Sequence, residues 1–207
     1  MERAAAKTRR IFLAEVGAGL SLLVSGGAKP SLSASQPGWM ALLDDRTGLA
    51  NWDTIGEANW RMVDGVLQAD RGGKDGGYLV SKTSYRDVAV RAEFWVSEDA
   101  NSGIFIRCSN RAVIAPTNSY EVNIFDNRPD PSYGTGAIVA VAKVNPMPRA
   151  AGRWNVYQIA AQGDRLTVSL NGVQTVSVRD NRFPSGPIAL QYGGGIVKFR
   201  SVQVRPL

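Results

Sequence analysis

With 207 residues and 44% apolar content, the chain fits one compact unit with enough apolar surface for a sizeable core, which excludes disorder as its general state. Its formal charge is +6, but five of the 24 basic and two of the 18 acidic residues lie in the first 34, so the remainder carries +3 with cations scattered singly, against a dense nucleic-acid-binding face. The absence of histidine and the single cysteine, Cys108, exclude an intramolecular disulfide, zinc, haem and Ser-His-Asp chemistry; no cofactor is expected, and calcium on oxygen ligands is the one metal chemistry left open.

Residues 1–34 read as an export signal with a short tether. Thr8-Arg9-Arg10-Ile11-Phe12-Leu13 sets paired arginines before an apolar stretch, 11–24, and small residues follow at 25–28, a pattern resembling the twin-arginine export signal. An ordinary secretory leader with two adjacent arginines in its basic region is the alternative. Either assigns a periplasmic or secreted destination. The apolar run is short and contains Glu15, against a retained membrane anchor, and no cysteine near the cleavage region offers a lipid attachment point. The remainder, 35–207, is expected to be a single domain.

From Trp39 onward short apolar or alternating segments are punctuated by Gly, Pro, Asn and Asp, with no sustained helical period. Strands are predicted at 39–43, 60–63, 66–69, 78–80, 87–96, 103–108, 120–125, 136–142, 155–161, 165–170, 174–178, 187–191 and 196–204. Asp64-Gly65 and Asn171-Gly172 separate strand pairs as tight hairpins, because these residues accept positive φ; Gly163-Asp164 is expected to make another. About a dozen strands in this length favour two packed antiparallel sheets in an all-β jelly-roll sandwich, since one open sheet of that many strands would curl or split.

Alternation assigns the faces. In 103–108, Ile104 and Ile106 form an apolar row while Phe105 and Arg107 share the other face; Cys108 is expected with the apolar row. In 120–125, Val122 and Ile124 point inward, leaving Glu121, Asn123 and Phe125 outward. In 87–96, Val88, Val90, Phe94 and Val96 point inward, leaving Arg91, Glu93 and Trp95 outward. An outer face that mixes aromatic surface with Arg, Glu and Asn suits a sugar, whose C–H faces stack on rings while its hydroxyls meet polar groups. An ordinary solvated sheet face with a few exposed aromatics, or a structural Arg107–Glu121 pair, fits the same pattern.

Several segments occur in one order: Asn101-Ser102-Gly103-Ile104-Phe105-Ile106-Arg107, Tyr120-Glu121-Val122-Asn123-Ile124-Phe125-Asp126, Thr135-Gly136-Ala137-Ile138, Trp154-Asn155, Leu170-Asn171-Gly172-Val173, Gly186-Pro187-Ile188-Ala189-Leu190-Gln191 and Val197-Lys198-Phe199-Arg200. Together they resemble the 3-keto-disaccharide hydrolase family, which implies a concanavalin A-like sandwich and a small carbohydrate substrate oxidised at carbon 3. Such a ketone acidifies the hydrogen on carbon 2, so a base can form an enolate, the carbon 1 substituent leaves, and water adds back. The resemblance implies Glu121 as base, Arg107 as partner of the developing oxyanion, and Asp126 as second carboxylate, brought to the same face by a β-bulge after Asn123. Asn123, Gln191, Trp95, Phe105, Glu93 and Tyr192 are the expected substrate contacts. Many members carry a histidine shortly after the glutamine, where this chain runs Tyr192-Gly193-Gly194-Gly195, so chemistry through that histidine cannot operate.

Two other functions compete. Glu121-x-Asn123-x-x-Asp126 superficially resembles the Glu-x-Asp-x-x-Glu strand of sandwich-fold endoglucanases, but an amide in the middle and a shorter final side chain disturb a retaining carboxylate pair. A lectin-like module that binds carbohydrate without turnover is the third reading.

Overall fold

The computed structural model describes residues 38–207, and the expected export signal over 1–34 lies outside them. Among the described residues thirteen strands form in chain order: β1 Met40–Leu43, β2 Trp52–Gly56, β3 Arg61–Val63, β4 Val66–Ala69, β5 Gly77–Tyr85, β6 Val88–Val96, β7 Ser102–Ile106, β8 Tyr120–Ile124, β9 Trp154–Gln162, β10 Arg165–Leu170, β11 Val173–Arg179, β12 Gly186–Tyr192 and β13 Val197–Pro206. They pair antiparallel in two sheets. The larger runs β11-β10-β9-β6-β13-β4-β3, with β1 also paired to β13; the smaller runs β2-β5-β12-β7-β8.

The expected turns form where the chain needs positive φ. Asp64 and Gly65 (φ 50° and 75°) join β3 to β4, Asn171 and Gly172 (φ 53° and 84°) join β10 to β11, and Gly163 (φ 55°) turns β9 into β10. Between the sheets the alternating apolar rows meet. Ile104, Ile106, Val122 and Ile124 from the small sheet pack in one cluster with Val90, Phe94, Tyr157, Phe199 and Val202 from the large one. Phe94 stacks on Tyr157 with centroids 5.0 Å apart.

Three sequence expectations need correction. Residues 136–142 form no strand: Gly136 (φ 92°) and Ala140 (φ 58°) turn the chain, leaving single bridges Val122↔Ile138 and Ile138↔Ala142 along the edge of β8. β2 went unpredicted because it pairs only with β5 at the sheet edge and exposes Asp53 and Thr54, which weakens the apolar signal. Most consequentially, β6 and β7 are neighbours in sequence but lie in different sheets. The outer faces of β6 and β7/β8 therefore belong to opposite sides of the sandwich.

Candidate active site

On the small sheet, pairing register sets the outward side chains in rows. Ile55↔Tyr78 and Tyr78↔Gln191 begin one row, which Gly103↔Asn123 continues; Asp53↔Val80, Val80↔Ala189, Ala189↔Phe105 and Phe105↔Glu121 form the next. Gly103 is the gap that makes a site of these rows. A Cβ there would stand 3.3 Å from Glu121 Cγ and 3.4 Å from both Glu121 Oε1 and Gln191 Oε1, so glycine lets the carboxylate and the amide approach from either side.

Glu121 is 6% exposed, and its carboxylate has no hydrogen-bond partner among the described residues. Burial raises its pKa from the ordinary 4.5 to about 7, opposed only by the positive field of Arg128. Two amides flank it. Asn123 Nδ2 donates to Tyr133 O at 2.7 Å and Gln191 Nε2 to the Tyr78 hydroxyl at 3.3 Å, which leaves both carbonyl oxygens, Asn123 Oδ1 and Gln191 Oε1, buried without a partner. Tyr78 meets Phe105 edge to face with centroids 5.6 Å apart, and its own hydroxyl pKa is raised, mainly by burial. The result is a carboxyl group poised to exchange a proton near neutrality, two unused acceptors and an aromatic pair, all on one face.

The other expected residues go elsewhere. Arg107 has φ 54°, which breaks the alternation of β7 and turns its guanidinium away from Phe105. There, 1% exposed, its Nε donates to Arg86 O (2.7 Å), its Nη1 to Gly163 O (2.8 Å) and its Nη2 to Asp87 Oδ1 (3.0 Å), binding chain turns together. Burial lowers its pKa, partly offset by Asp87. Cys108 consequently lands beside Phe105, Val80, Ile114 and Ala189 rather than with Ile104 and Ile106.

No bulge brings Asp126 back to Glu121, because β7 and β8 pair in continuous register from Ser102↔Ile124 to Ile106↔Tyr120. The Asp126 carboxylate instead accepts from Thr135 Oγ1 (2.6 Å), Ala150 N (2.9 Å) and Ala151 N (3.0 Å), anchoring the long connection before β9. Glu93 and Trp95 lie on the outer face of the large sheet, where Glu93 pairs with Arg200 and Lys198 Nζ sits 4.9 Å from the Trp95 centroid. Tyr192 points into the core, edge-on to Trp60. Glu121, Asn123, Gln191 and Phe105 thus come together; Arg107, Asp126, Glu93, Trp95 and Tyr192 do not join them.

Sequence reasoning missed Tyr78 and Arg128. Tyr78 stood within a predicted strand, but only its register opposite Gln191 reveals its face. Arg128 lies in the loop after β8, where alternation says nothing. Among the described residues no group of three or more acidic, histidine or cysteine side chains is arranged to hold a metal. No described helix is long and apolar enough to cross a membrane.

Two antiparallel sheets in this order, with a carboxylate and amides on the outer face of one, make this a concanavalin A-like jelly-roll sandwich. The family model of the 3-keto-alpha-glucoside-1,2-lyase-like domain matches residues 38–205, and the chain belongs to that family. Two solved structures from Parabacteroides distasonis, both provisionally named glycosyl hydrolases, are similar in fold. One is 24% identical (TM-score 0.66, covering 82% of this chain and 99% of that one), the other 17% identical (TM-score 0.69, 82% and 94%). The carbohydrate-binding module CBM66 from Bacillus subtilis is similar at 18% identity (TM-score 0.56, 75% and 95%). No curated protein matches in sequence.

Proposed function

We propose that this protein cleaves the glycosidic bond of a 3-keto-glycoside, with Glu121 as the base that removes the proton from carbon 2. The observation that carries this reading is the buried, unpartnered Glu121 carboxyl, whose pKa of about 7 suits a general base at neutral pH far better than an ordinary carboxylate's. The electrons of the C2–H bond pass to the ketone as an enolate. When the ketone re-forms, carbon 1 expels its oxygen substituent, and the proton held on Glu121 leaves with the aglycone as an alcohol. Water added across the new C1=C2 bond gives the free 3-keto sugar. Asn123 Oδ1 and Gln191 Oε1, left without partners beside the carboxylate, are the acceptors for sugar hydroxyls, and partly buried Tyr78, edge to face on the fully buried Phe105, offers the C–H-binding surface.

Direct glycoside hydrolysis is disfavoured by the same face. Asp126 is committed to backbone N–H groups, and Asp53, also outward on this sheet, lies four strand spacings from Glu121, about 19 Å, beyond the roughly 5–10 Å that a pair of catalytic carboxyls needs.

The test is aglycone release by purified protein from a 3-keto-glucoside and from its unoxidised parent. Release from the keto substrate alone is expected, rising with pH to a plateau above about 7, and falling by about 10²-fold or more in Glu121→Gln. No release above the spontaneous rate defeats the proposal. Release from the parent favours a direct glycosidase, and saturable binding without turnover a lectin-like module. We further propose that residues 1–34 direct twin-arginine-type export, which Arg9→Lys with Arg10→Lys should abolish; undiminished arrival outside the cytoplasm would refute it.

A further inference from the structure

Removing the proton from carbon 2 moves an electron pair onto the ketone oxygen, and the enolate forms readily only where a donor meets that oxygen. Arg107 is spent elsewhere, on the Arg86 and Gly163 carbonyls and Asp87. On the outer face of the small sheet, Asn123 Nδ2 is committed to Tyr133 O and Gln191 Nε2 to the Tyr78 oxygen. The Tyr78 hydroxyl differs from both. It accepts from Gln191 and donates to no described residue, so its one hydrogen is left for a ligand.

Tyr78 stands opposite Gln191 across β5 and β12, in the row that Gly103 and Asn123 continue. Gln191 reaches from the phenol toward the base, for Gln191 Oε1 and Glu121 Oε1 both lie 3.4 Å from the position a Gly103 Cβ would take. One amide thus holds the phenol at one end and borders the carboxylate at the other. This arrangement lets carbon 2 of a sugar meet Glu121 while the neighbouring ketone oxygen meets the hydroxyl. Phe105, edge to face with Tyr78 at 5.6 Å between centroids, steadies the ring, and Tyr78 is only partly buried. Burial raises the phenol's pKa, the Gln191 bond opposes this, and the negative charge of Glu121 raises it again, so the phenol keeps its proton while the carboxylate acts as base.

We infer that Tyr78 is a second catalytic residue, the hydrogen-bond donor to the 3-keto oxygen as the enolate forms. The inference rests on the reading of Glu121 as base. As Glu121 takes the proton from carbon 2, the C2–H electron pair forms the C2=C3 bond and the carbonyl pair moves to oxygen, where the Tyr78 O–H binds it. The phenol keeps its proton, and the pair returns as the carbon 1 substituent leaves.

Exchange of the carbon 2 hydrogen in D2O, followed by NMR with 1,5-anhydro-3-keto-glucitol, isolates this step, because that ligand has no exocyclic group on carbon 1 to expel. Tyr78→Phe should slow exchange about 10²-fold, the loss expected on removing one oxyanion donor, while affinity measured by calorimetry changes less than about threefold. Circular dichroism establishes that the variant is folded. As a second probe, 3,5-difluorotyrosine at position 78 keeps the hydroxyl on a more acidic phenol. It should turn the pH plateau of exchange into a bell as the phenol loses its proton; Glu121 and the Cys108 thiol are the ionisable groups that bear on it. Exchange that is lost in Glu121→Gln but undiminished in Tyr78→Phe, a loss carried by affinity alone, or a plateau that survives fluorination overturns the inference and leaves the base standing. A wild type that exchanges no faster than Glu121→Gln removes the base and the inference with it.

Discussion

Glu121→Gln should stabilise the protein, by an amount that depends on pH. In the native state burial holds this carboxyl's pKa at about 7, while the unfolded chain returns it to about 4.5. The unfolded state therefore binds fewer protons between those values, and stability falls as pH rises through that window. At about 1.4 kcal/mol for each tenfold change in proton affinity, the full penalty is about 3 kcal/mol. It is absent well below pH 4.5, accumulates between about 4.5 and 7, and is complete above about 7. Glutamine keeps the shape without the charge, so urea unfolding of wild type and variant at pH 4, 5.5 and 8 should show the variant's advantage grow from near zero toward about 3 kcal/mol. A difference constant across the three pH values, or a wild type more stable than the variant at pH 8, would refute the buried, unpaired carboxylate.

Arg107→Ala leaves the Arg86 and Gly163 carbonyls without the guanidinium donor and the Asp87 carboxylate with the Gly163 N–H but no cation, and should cost about 3–5 kcal/mol in chemical unfolding without moving the Glu121 titration. Asp126→Ala strands the N–H groups of Ala150 and Ala151 and the Thr135 hydroxyl, so it should lower unfolding stability by about 2–4 kcal/mol; a loss of turnover with stability intact would return Asp126 to the catalytic machinery. The Cys108 thiol, buried beside Phe105 and raised to about 12, should resist thiol reagents in the native protein and react fully in denaturant. Trp95→Ala, on the opposite side of the sandwich, should leave KM for any substrate of the Glu121 face unaltered, as steady-state kinetics would show.

What the sequence made legible follows from alternation, and what it hid follows from alternation's limits. The period-2 rows of 103–106 and 120–124 put Phe105, Glu121 and Asn123 outward without a structure, and the Asn-Gly and Asp-Gly turns located two hairpins, because both signals are local. Which sheet a strand joins is not local. Residues 97–101 carry the chain from one sheet to the other, so Glu93 and Trp95 have the right pattern on the wrong side. Arg107 fails for a third reason. A single residue at φ 54° ends the alternation of its own segment, exchanging the expected places of Arg107 and Cys108, and a non-glycine residue in that conformation leaves no mark in the sequence.

The relocation of the cation also makes better chemistry. An arginine hydrogen-bonded to Glu121 would stabilise the carboxylate, pull its pKa toward or below the ordinary value, and leave a weak base for a carbon acid. With Arg107 spent on carbonyls and Asp87, the positive charge acting on Glu121 is Arg128, felt through its field and not through a hydrogen bond, so desolvation wins and the carboxyl titrates near neutrality. Arg128 therefore sets how far the pKa can rise. Removing it as Arg128→Ala should move the midpoint of the pH–rate profile upward from about 7, whereas Arg128→Lys should hold it close to the wild-type value. The shift should shrink in high salt, since a charge acting through a partly solvated loop is screened. A midpoint that stays in place or falls in Arg128→Ala would show that another cation governs Glu121, and Arg107 would then be the first to reconsider.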